Sequence, residues 1–264
     1  MSHTPHMRTG VPAPSGNVPW TVKRRIPSAP RPPAPNLPCN RLYHSCWLAP
    51  DGQIEDLSRK GPSIPLFRDA FSALARGSLL PTEEGPVAIE DVLPGMRVST
   101  SNGLQTLLWK GSSAFAPAPI GQAGGIRLYR IPADAFGFGR PMPDLVLGPA
   151  ARLVDRAPAL RTVTPDGAAL VPVAPFADGM SVIEVTPVAS VELFHIGFAE
   201  HCLLTVNGVE IESHHPGPVD TARLGPAMTE LFLGLFPHVA SLSGFGRMTC
   251  PRLTVEQYQT LGAA

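Results

Sequence analysis

The stretch Phe71–Thr100, FSALARGSLLPTEEGPVAIEDVLPGMRVST, decides the fold class. Leu79-Leu80 is apolar and runs into Pro81-Thr82-Glu83-Glu84-Gly85, a run of turn-forming residues. Val87-Ala88-Ile89-Glu90-Asp91-Val92 follows, and Leu93-Pro94-Gly95 breaks the chain before Arg97-Val98-Ser99-Thr100. Apolar runs this short, punctuated by proline and glycine, predict strand, turn, connector and strand rather than helix.

Downstream the same grammar continues to Gly217. Leu104–Gly111 reads as a strand that buries Trp109. Ile126–Ile131, Asp144–Leu147, Ala169–Val173, Val182–Val185, Val191–Ile196 and Cys202–Val206 read as further strands. Asn207-Gly208, set between Thr205-Val206 and Val209-Glu210-Ile211, is a hairpin signal, because both turn residues tolerate positive φ. Many short strands at this spacing predict an all-β, barrel-like module. After Pro218 the period changes. Leu224, Met228, Leu231, Phe232, Leu235 and Phe236 fall on one helical face within 222–240, and 251–261 suggests one more short helix.

Upstream, Leu66, Phe67, Ala70, Phe71 and Leu74 have helical spacing, so a short helix is expected over 64–74. Residues 41–60 hold a small apolar knot, Leu42-Tyr43 and Cys46-Trp47-Leu48, then the turn Pro50-Asp51-Gly52, and could dock as a strand. Before that the chain is proline-dense, as in Ser28-Ala29-Pro30-Arg31-Pro32-Pro33-Ala34-Pro35, and lacks the apolar content to offset its ordering entropy. The division expected is a disordered Pro-rich segment over 1–63, a β domain over 64–217 and a helical extension over 218–264. No internal repeat is visible.

Composition excludes several function classes. The formal net charge is zero and only 16% of residues are charged, so nothing steers the chain toward nucleic acid or an anionic membrane. No apolar run approaches the roughly 20 residues of a membrane helix. No apolar core follows the basic residues of the N-terminus, so a secretory signal is not expected. The default expectation is cytoplasmic, with export by a route needing no such signal left open. Cys39, Cys46, Cys202 and Cys250 form no C-x-x-C pair. A Cys39–Cys46 disulfide is conceivable, but the wide spacing favours reduced thiols.

Ala-Arg-Gly-Ser at 75–78, Pro-Val-x-Ile-Glu-Asp at 86–91 and Pro-Gly-Met-Arg-Val at 94–98 resemble the opening of a bacterial Hedgehog/intein (Hint) domain. The resemblance runs on through Asn102-Gly103, Leu108-Trp109-Lys110-Gly111 and Ala133–Gly137 with Pro141 and Asp144-Leu145. It ends with Val191-Glu192, Phe194-His195, His201, Asn207-Gly208 and Glu212-Ser213. It covers about residues 71–217. It implies a Hint-type flattened β horseshoe or disk, here with a C-terminal helical extension and a disordered Pro-rich N-terminus.

The resemblance also implies a chemistry against which the chain can be checked. In the family a cysteine thiol attacks the carbonyl of the preceding residue, and a histidine in a Thr/Ser-Pro-x-His block assists amide cleavage. The nucleophile position, four residues before Gly77, is Ala73. The block reads Gly148-Pro149-Ala150-Ala151, so hydroxyl and imidazole are both gone. Loss of either group costs several kcal/mol of barrier, and loss of both predicts a catalytically dead module. The relic positions are then Ala73, Gly148, Ala151, His195 and His201, and the resemblance implies that Ala73, Ala151, His195 and His201 meet at one small site. Ser78, at the position of the family's Thr, is expected to cap the turn.

Other polar residues have plainer roles. The resemblance implies that His195 and His201 line the family's site, but each is more simply read as a satisfied structural histidine. His214-His215 has no recognised ligand spacing, so neither a metal nor any other cofactor is expected. Glu90-Asp91 are adjacent in an extended segment and point to opposite faces. No phosphate loop is present. Two functions follow: a degenerate, non-catalytic binding or accessory module, or an active self-cleaving protein that uses Ser72 or another non-cysteine nucleophile. A protein partner would be met through the Pro-rich arm or the C-terminal helix, and neither nucleic acid nor membrane is expected as a partner.

Overall fold

The computed structural model of the chain describes residues 38–117 and 125–262. The N-terminal strands are β1 (Arg41–Leu48), β2 (Ile54–Gly61), β3 (Leu74–Ala75), β4 (Leu79–Thr82), β5 (Gly85–Ala88), β6 (Arg97–Thr100), β7 (Gly103–Thr106) and β8 (Trp109–Phe115). The later strands are β9 (Leu128–Ile131), β10 (Leu145–Leu147), β11 (Arg152–Asp155), β12 (Ala169–Pro172), β13 (Ile183–Val185), β14 (Val191–Gly197), β15 (Leu203–Val206) and β16 (Val209–Glu212). Helices are few and short: α1 (Pro65–Asp69), α2 (Thr221–Leu224), α3 (Pro226–Leu233) and α4 (Val255–Gly262), with 3-10 turns between strands. Among the described residues no helix is long and apolar enough to cross a membrane.

The strands form two antiparallel sheets. One runs β13-β9-β10-β3-β14-β8-β1-β2 and the other β12-β11-β16-β15-β6-β4-β5, with β7 on β6. The all-β expectation therefore holds. Asn207-Gly208 turns β15 into β16 with φ of 49° and 87°, the backbone of a tight hairpin. Asn207 also ties the sheets together. Its Oδ1 accepts from Leu79 N at 2.7 Å, and its Nδ2 donates to Pro143 O at 3.1 Å. Ser78 caps its turn as expected, with Oγ donating to Ala75 O at 2.7 Å.

Two apolar cores do most of the holding. The first lies between the sheets and includes Leu74, Leu80, Ile89, Val98, Leu145, Leu147, Leu153, Ile196, Leu204 and Ile211. The second is aromatic: Tyr43 from β1, Phe67 from α1, Phe71, Trp109 from β8, Phe232 from α3, Phe236 and Phe245. Trp109 is fully buried, and its Nε1 donates to Leu235 O at 2.8 Å. At about 2–3 kcal/mol for each large side chain removed from water, this cluster fastens the segments before and after the central strands to one another.

Several boundaries move. Disorder was expected over 1–63, but residues 41–61 form the β1–β2 hairpin, paired in register from Arg41↔Gly61 to Leu48↔Ile54. β1 also pairs with β8 from His44↔Ser112 to Trp47↔Trp109, so the hairpin continues the sheet. The rest of that expectation, over 1–37, lies outside the described residues. The helix expected over 64–74 ends at Asp69, because Ala73 N bonds to Phe194 O and draws the chain into the sheet. Leu104–Gly111 is two strands rather than one. Leu107 N bonds to Met96 O and Leu108 N to Gly197 O, so the chain changes sheets there. The helix expected over 222–240 is broken by Gly225, at φ 84°, followed by Pro226, which restarts the helix because it has no N–H to satisfy. Cys46 carries a thiol, so the Cys39–Cys46 bridge is not formed.

Candidate functional site

β3 is only two residues long, yet it lies between β10 and β14, with Leu74 opposite both Leu147 and Phe194. That placement assembles the corner. Ala73 N donates to Phe194 O at 3.1 Å, Gly148 N donates to Ala73 O at 2.8 Å, and Ala150 N donates to Ser72 O at 3.2 Å. Ala73 and Ala151 belong to one apolar cluster and are 1% and 2% exposed. His195 follows Phe194 directly and lines a cavity with Ala150, Arg152 and Glu212. His201 reaches the same corner through Glu212.

Gly148 is the tightest point. A Cβ there would stand 2.1 Å from Ser72 O and 2.9 Å from Leu193 Cδ1. The backbone has closed into the space that a Thr or Ser side chain would need. Ser72 itself is fully buried, and its Oγ has no hydrogen-bond partner among the described residues.

Beside this dry corner lies a polar one. A cavity of about 70 Å³ is lined by Asp69, Arg152, His195, Glu212, His214 and Arg252, among others. Glu212 is nearly fully buried. Its Oε1 accepts from Arg152 Nη1 at 3.2 Å, and its Oε2 accepts from Arg252 Nε at 3.0 Å and His201 Nε2 at 3.3 Å. Burial alone would raise its pKa. The His201 hydrogen bond and the two guanidinium charges outweigh burial and hold it down to about 2. Asp69 is raised by burial, against the pull of Arg68 and Arg152.

The histidines here are buried and neutral. Burial pushes His195 down to about 3, and His214 well below its ordinary value. Their rings meet edge to face at 5.1 Å, and His214 stacks on Phe236 at 4.9 Å. His195 Nδ1 accepts from Ile196 N at 3.1 Å. His201 Nδ1 faces Thr249 N at 3.0 Å, which fits a neutral ring with its proton on Nε2, toward Glu212. Among the described residues no group of three His, Cys, Asp or Glu side chains is arranged to hold a metal ion.

The sequence reading missed Arg152, Thr249 and Arg252, and treated Glu212 only as part of a strand. No local pattern betrays them. Glu212 and Arg252 are 40 positions apart and are brought together only by the folded chain. Glu90, read only as one of two adjacent carboxylates on opposite faces, accepts from Gly77 N at 2.8 Å and steadies the loop after β3.

A family model described as the Hint domain matches residues 72–218, more than half of the chain. Two solved structures show likeness. The crystal structure of the gp41-1 intein is 14% identical, covers 55% of this chain and 98% of its own, and has a TM-score of 0.32. A substituted variant of that intein is 12% identical, covers 55% of this chain and 99% of its own, and has a TM-score of 0.30. No curated protein matches the sequence.

Proposed function

The chain belongs to the Hint-domain family, and we propose that it uses the family's fold as a non-catalytic binding or accessory module. The observation that carries this reading is the closed corner at Ser72, Ala73, Gly148 and Ala151. Two buried methyl groups stand where the family has a thiol and an imidazole, and Ser72 O fills the place of the missing hydroxyl side chain. Ala73 has nothing with which to attack the carbonyl of Ser72, and Ala151 has nothing with which to protonate the amide nitrogen. The Ala150 N–H on Ser72 O would resemble one donor of an oxyanion hole, but a donor does not replace a nucleophile.

Retention of the upstream segment supports the same reading. The residues before Ser72 form two strands of a sheet and contribute Tyr43 and Phe67 to the aromatic core. They are built into the domain, which is a poor arrangement for a segment meant to leave. The module is cytoplasmic in this reading, and a protein partner is met through the Pro-rich arm or the surface of the C-terminal helices. Phe232, Leu235 and Phe236 are spent inside the chain's own core.

A second reading rests on the buried, unpartnered Ser72 Oγ next to the relic position. In it, Ser72 attacks the carbonyl of Phe71 to form an ester, which water then hydrolyses. Incubation near neutral pH with hydroxylamine separates the two, because it captures an oxygen ester as a hydroxamate and so releases the fragments. The non-catalytic reading expects a single full-length band on a denaturing gel after days. A fragment beginning at Ser72, abolished by Ser72→Ala, would establish the second reading instead.

A further inference from the structure

The segment 249–254 lies on the domain as an extended peptide lies on a receptor, and α4 follows it. β12 is the outermost strand of its sheet, and the tail pairs with it in parallel through Leu170↔Arg252. Leu170 N donates to Pro251 O at 2.9 Å and Leu253 N donates to Leu170 O at 3.0 Å, the backbone pattern of a strand added to a sheet edge. Leu253 and Tyr258 then pack against Leu160, Ala169 and Val171, and Tyr258 Oη donates to Asp155 Oδ2 at 2.6 Å.

The side-chain contacts are directional and converge on the relic site. The Arg252 guanidinium enters a cradle in which Glu212 Oε2 accepts at 3.0 Å and His215 O at 2.7 Å. Gly217 clears its path, since a Cβ there would stand 2.8 Å from Arg252 Nη1. Three positions earlier, Thr249 Oγ1 donates to His201 O at 2.6 Å and Thr249 N donates to His201 Nδ1 at 3.0 Å. Glu212 stays paired without the tail, because it keeps Arg152 at 3.2 Å and His201 at 3.3 Å. Removing Arg252 therefore strands no buried carboxylate, the usual reason such a pair cannot open.

Resting on the non-catalytic reading above, the geometry points to a peptide-binding site formed by β12, His201, Glu212, His215 and Gly217, which takes an extended segment with a hydroxyl residue and an arginine three positions later and is filled in cis by the chain's own 249–254. A partner segment of that chemistry gains the site only when the tail leaves, so the tail works as a tethered competitor.

The test uses the full-length chain and its Arg252→Gln variant, with a fluorescein-labelled synthetic peptide spanning 246–262 as the probe in fluorescence anisotropy. The Arg252→Gln chain is expected to bind the peptide at least about tenfold more tightly than the unaltered chain, because its own tail competes less well. A peptide carrying the same Arg→Gln change should bind neither. Amides of 250–258 should exchange at least about tenfold faster in the variant, with β14 unchanged. If Arg252→Gln does not fold, Thr249→Ala, which removes one hydroxyl contact, is expected to show the same gain at smaller size. A folded variant that binds the peptide no better than the unaltered chain overturns the proposal, as does a tail whose amides exchange only at the rate of β14. Self-cleavage would appear separately as a fragment mass and would count against the non-catalytic reading, not against the peptide site.

Discussion

Two neighbouring regions share backbone and differ in everything else. In the ladder β3-β14-β8-β1-β2, pairing is continuous from Val191↔Phe115 to Gly197↔Trp109 and on into the N-terminal hairpin. In the corner 148–151 the backbone is just as well bonded, with Gly148 N and Ala150 N both donating to the chain at 72–73. Yet the side chains of Ala73 and Ala151 at the corner are buried methyl groups, which in the proposed reading stand where the family's reaction needs a thiol and an imidazole. The difference teaches that backbone pairing and apolar burial hold this fold, and neither requires a thiol, a hydroxyl or an imidazole at the corner. The backbone closes tightly on Gly148, where a Cβ would stand 2.1 Å from Ser72 O.

The sharpest way to break the comparison is to put the family's residue back. Gly148→Ser sets a Cβ 2.1 Å from a backbone oxygen that no rotamer can move. The expected loss is upwards of about 4 kcal/mol, or failure to fold, read as the urea midpoint or the yield of soluble chain. A Gly148→Ser chain as stable as its parent would mean that the corner is open and the comparison is false.

Acid probes the polar side of the same corner. Burial lowers His195 to about 3, His238 to about 4 and His214 well below the ordinary value of 6.5. Because these folded-state values are depressed, the unfolded chain takes up protons below pH 6.5 that the folded chain refuses. Their stabilisation is complete above pH 6.5 and is lost as pH falls toward 3–4. Each such proton contributes about 1.4 kcal/mol per pH unit. Glu212, held at about 2 against an ordinary 4.5, adds a loss of the same sign below pH 4.5. Asp69, raised by burial, opposes it as a single group. Stability measured by urea unfolding should therefore fall by several kcal/mol between pH 6.5 and 4.5, with the slope reduced by about one proton in His214→Phe. A flat profile over that window would show that these rings are open to water.

The smallest effect is expected at Ser72. Its hydroxyl is buried without a partner, so Ser72→Ala removes an unsatisfied group and no bond. Stability should be unchanged or higher by up to about 1 kcal/mol. A substantial loss would reveal a partner for Ser72 Oγ and would favour its use as a nucleophile.

Which parts of this were legible depended on how local the cause was. Asn207-Gly208 announced its hairpin because both residues tolerate positive φ, whereas the Ser78 cap, with Oγ donating to Ala75 O, was expected from the resemblance. The break at Gly225-Pro226 was equally local, but the helical spacing of Leu224 to Phe236 overrode it. A docked strand within 41–60 was legible from its apolar knot and the turn at Pro50-Asp51-Gly52, but its partner was not, because β8 lies more than 60 residues away. The relic positions Ala73, Gly148, Ala151, His195 and His201 came from the family resemblance, since a methyl group carries no signal of its own. The Glu212–Arg252 pair came from nowhere in the sequence, because only the docked tail brings the two together.

The central claim is that the Ser72–Ala73 bond and its neighbours stay intact. The most direct measurement is a time course of intact mass, taken under denaturing conditions from the first minutes after synthesis in a cell-free system. Denaturation is essential, because a severed N-terminal hairpin would remain paired to β8 and the pieces would travel together. The account predicts one species of 28.0 kDa at every time point. Two species whose masses sum to the whole chain plus one water, with the junction at Phe71-Ser72 or Ser72-Ala73, would contradict it.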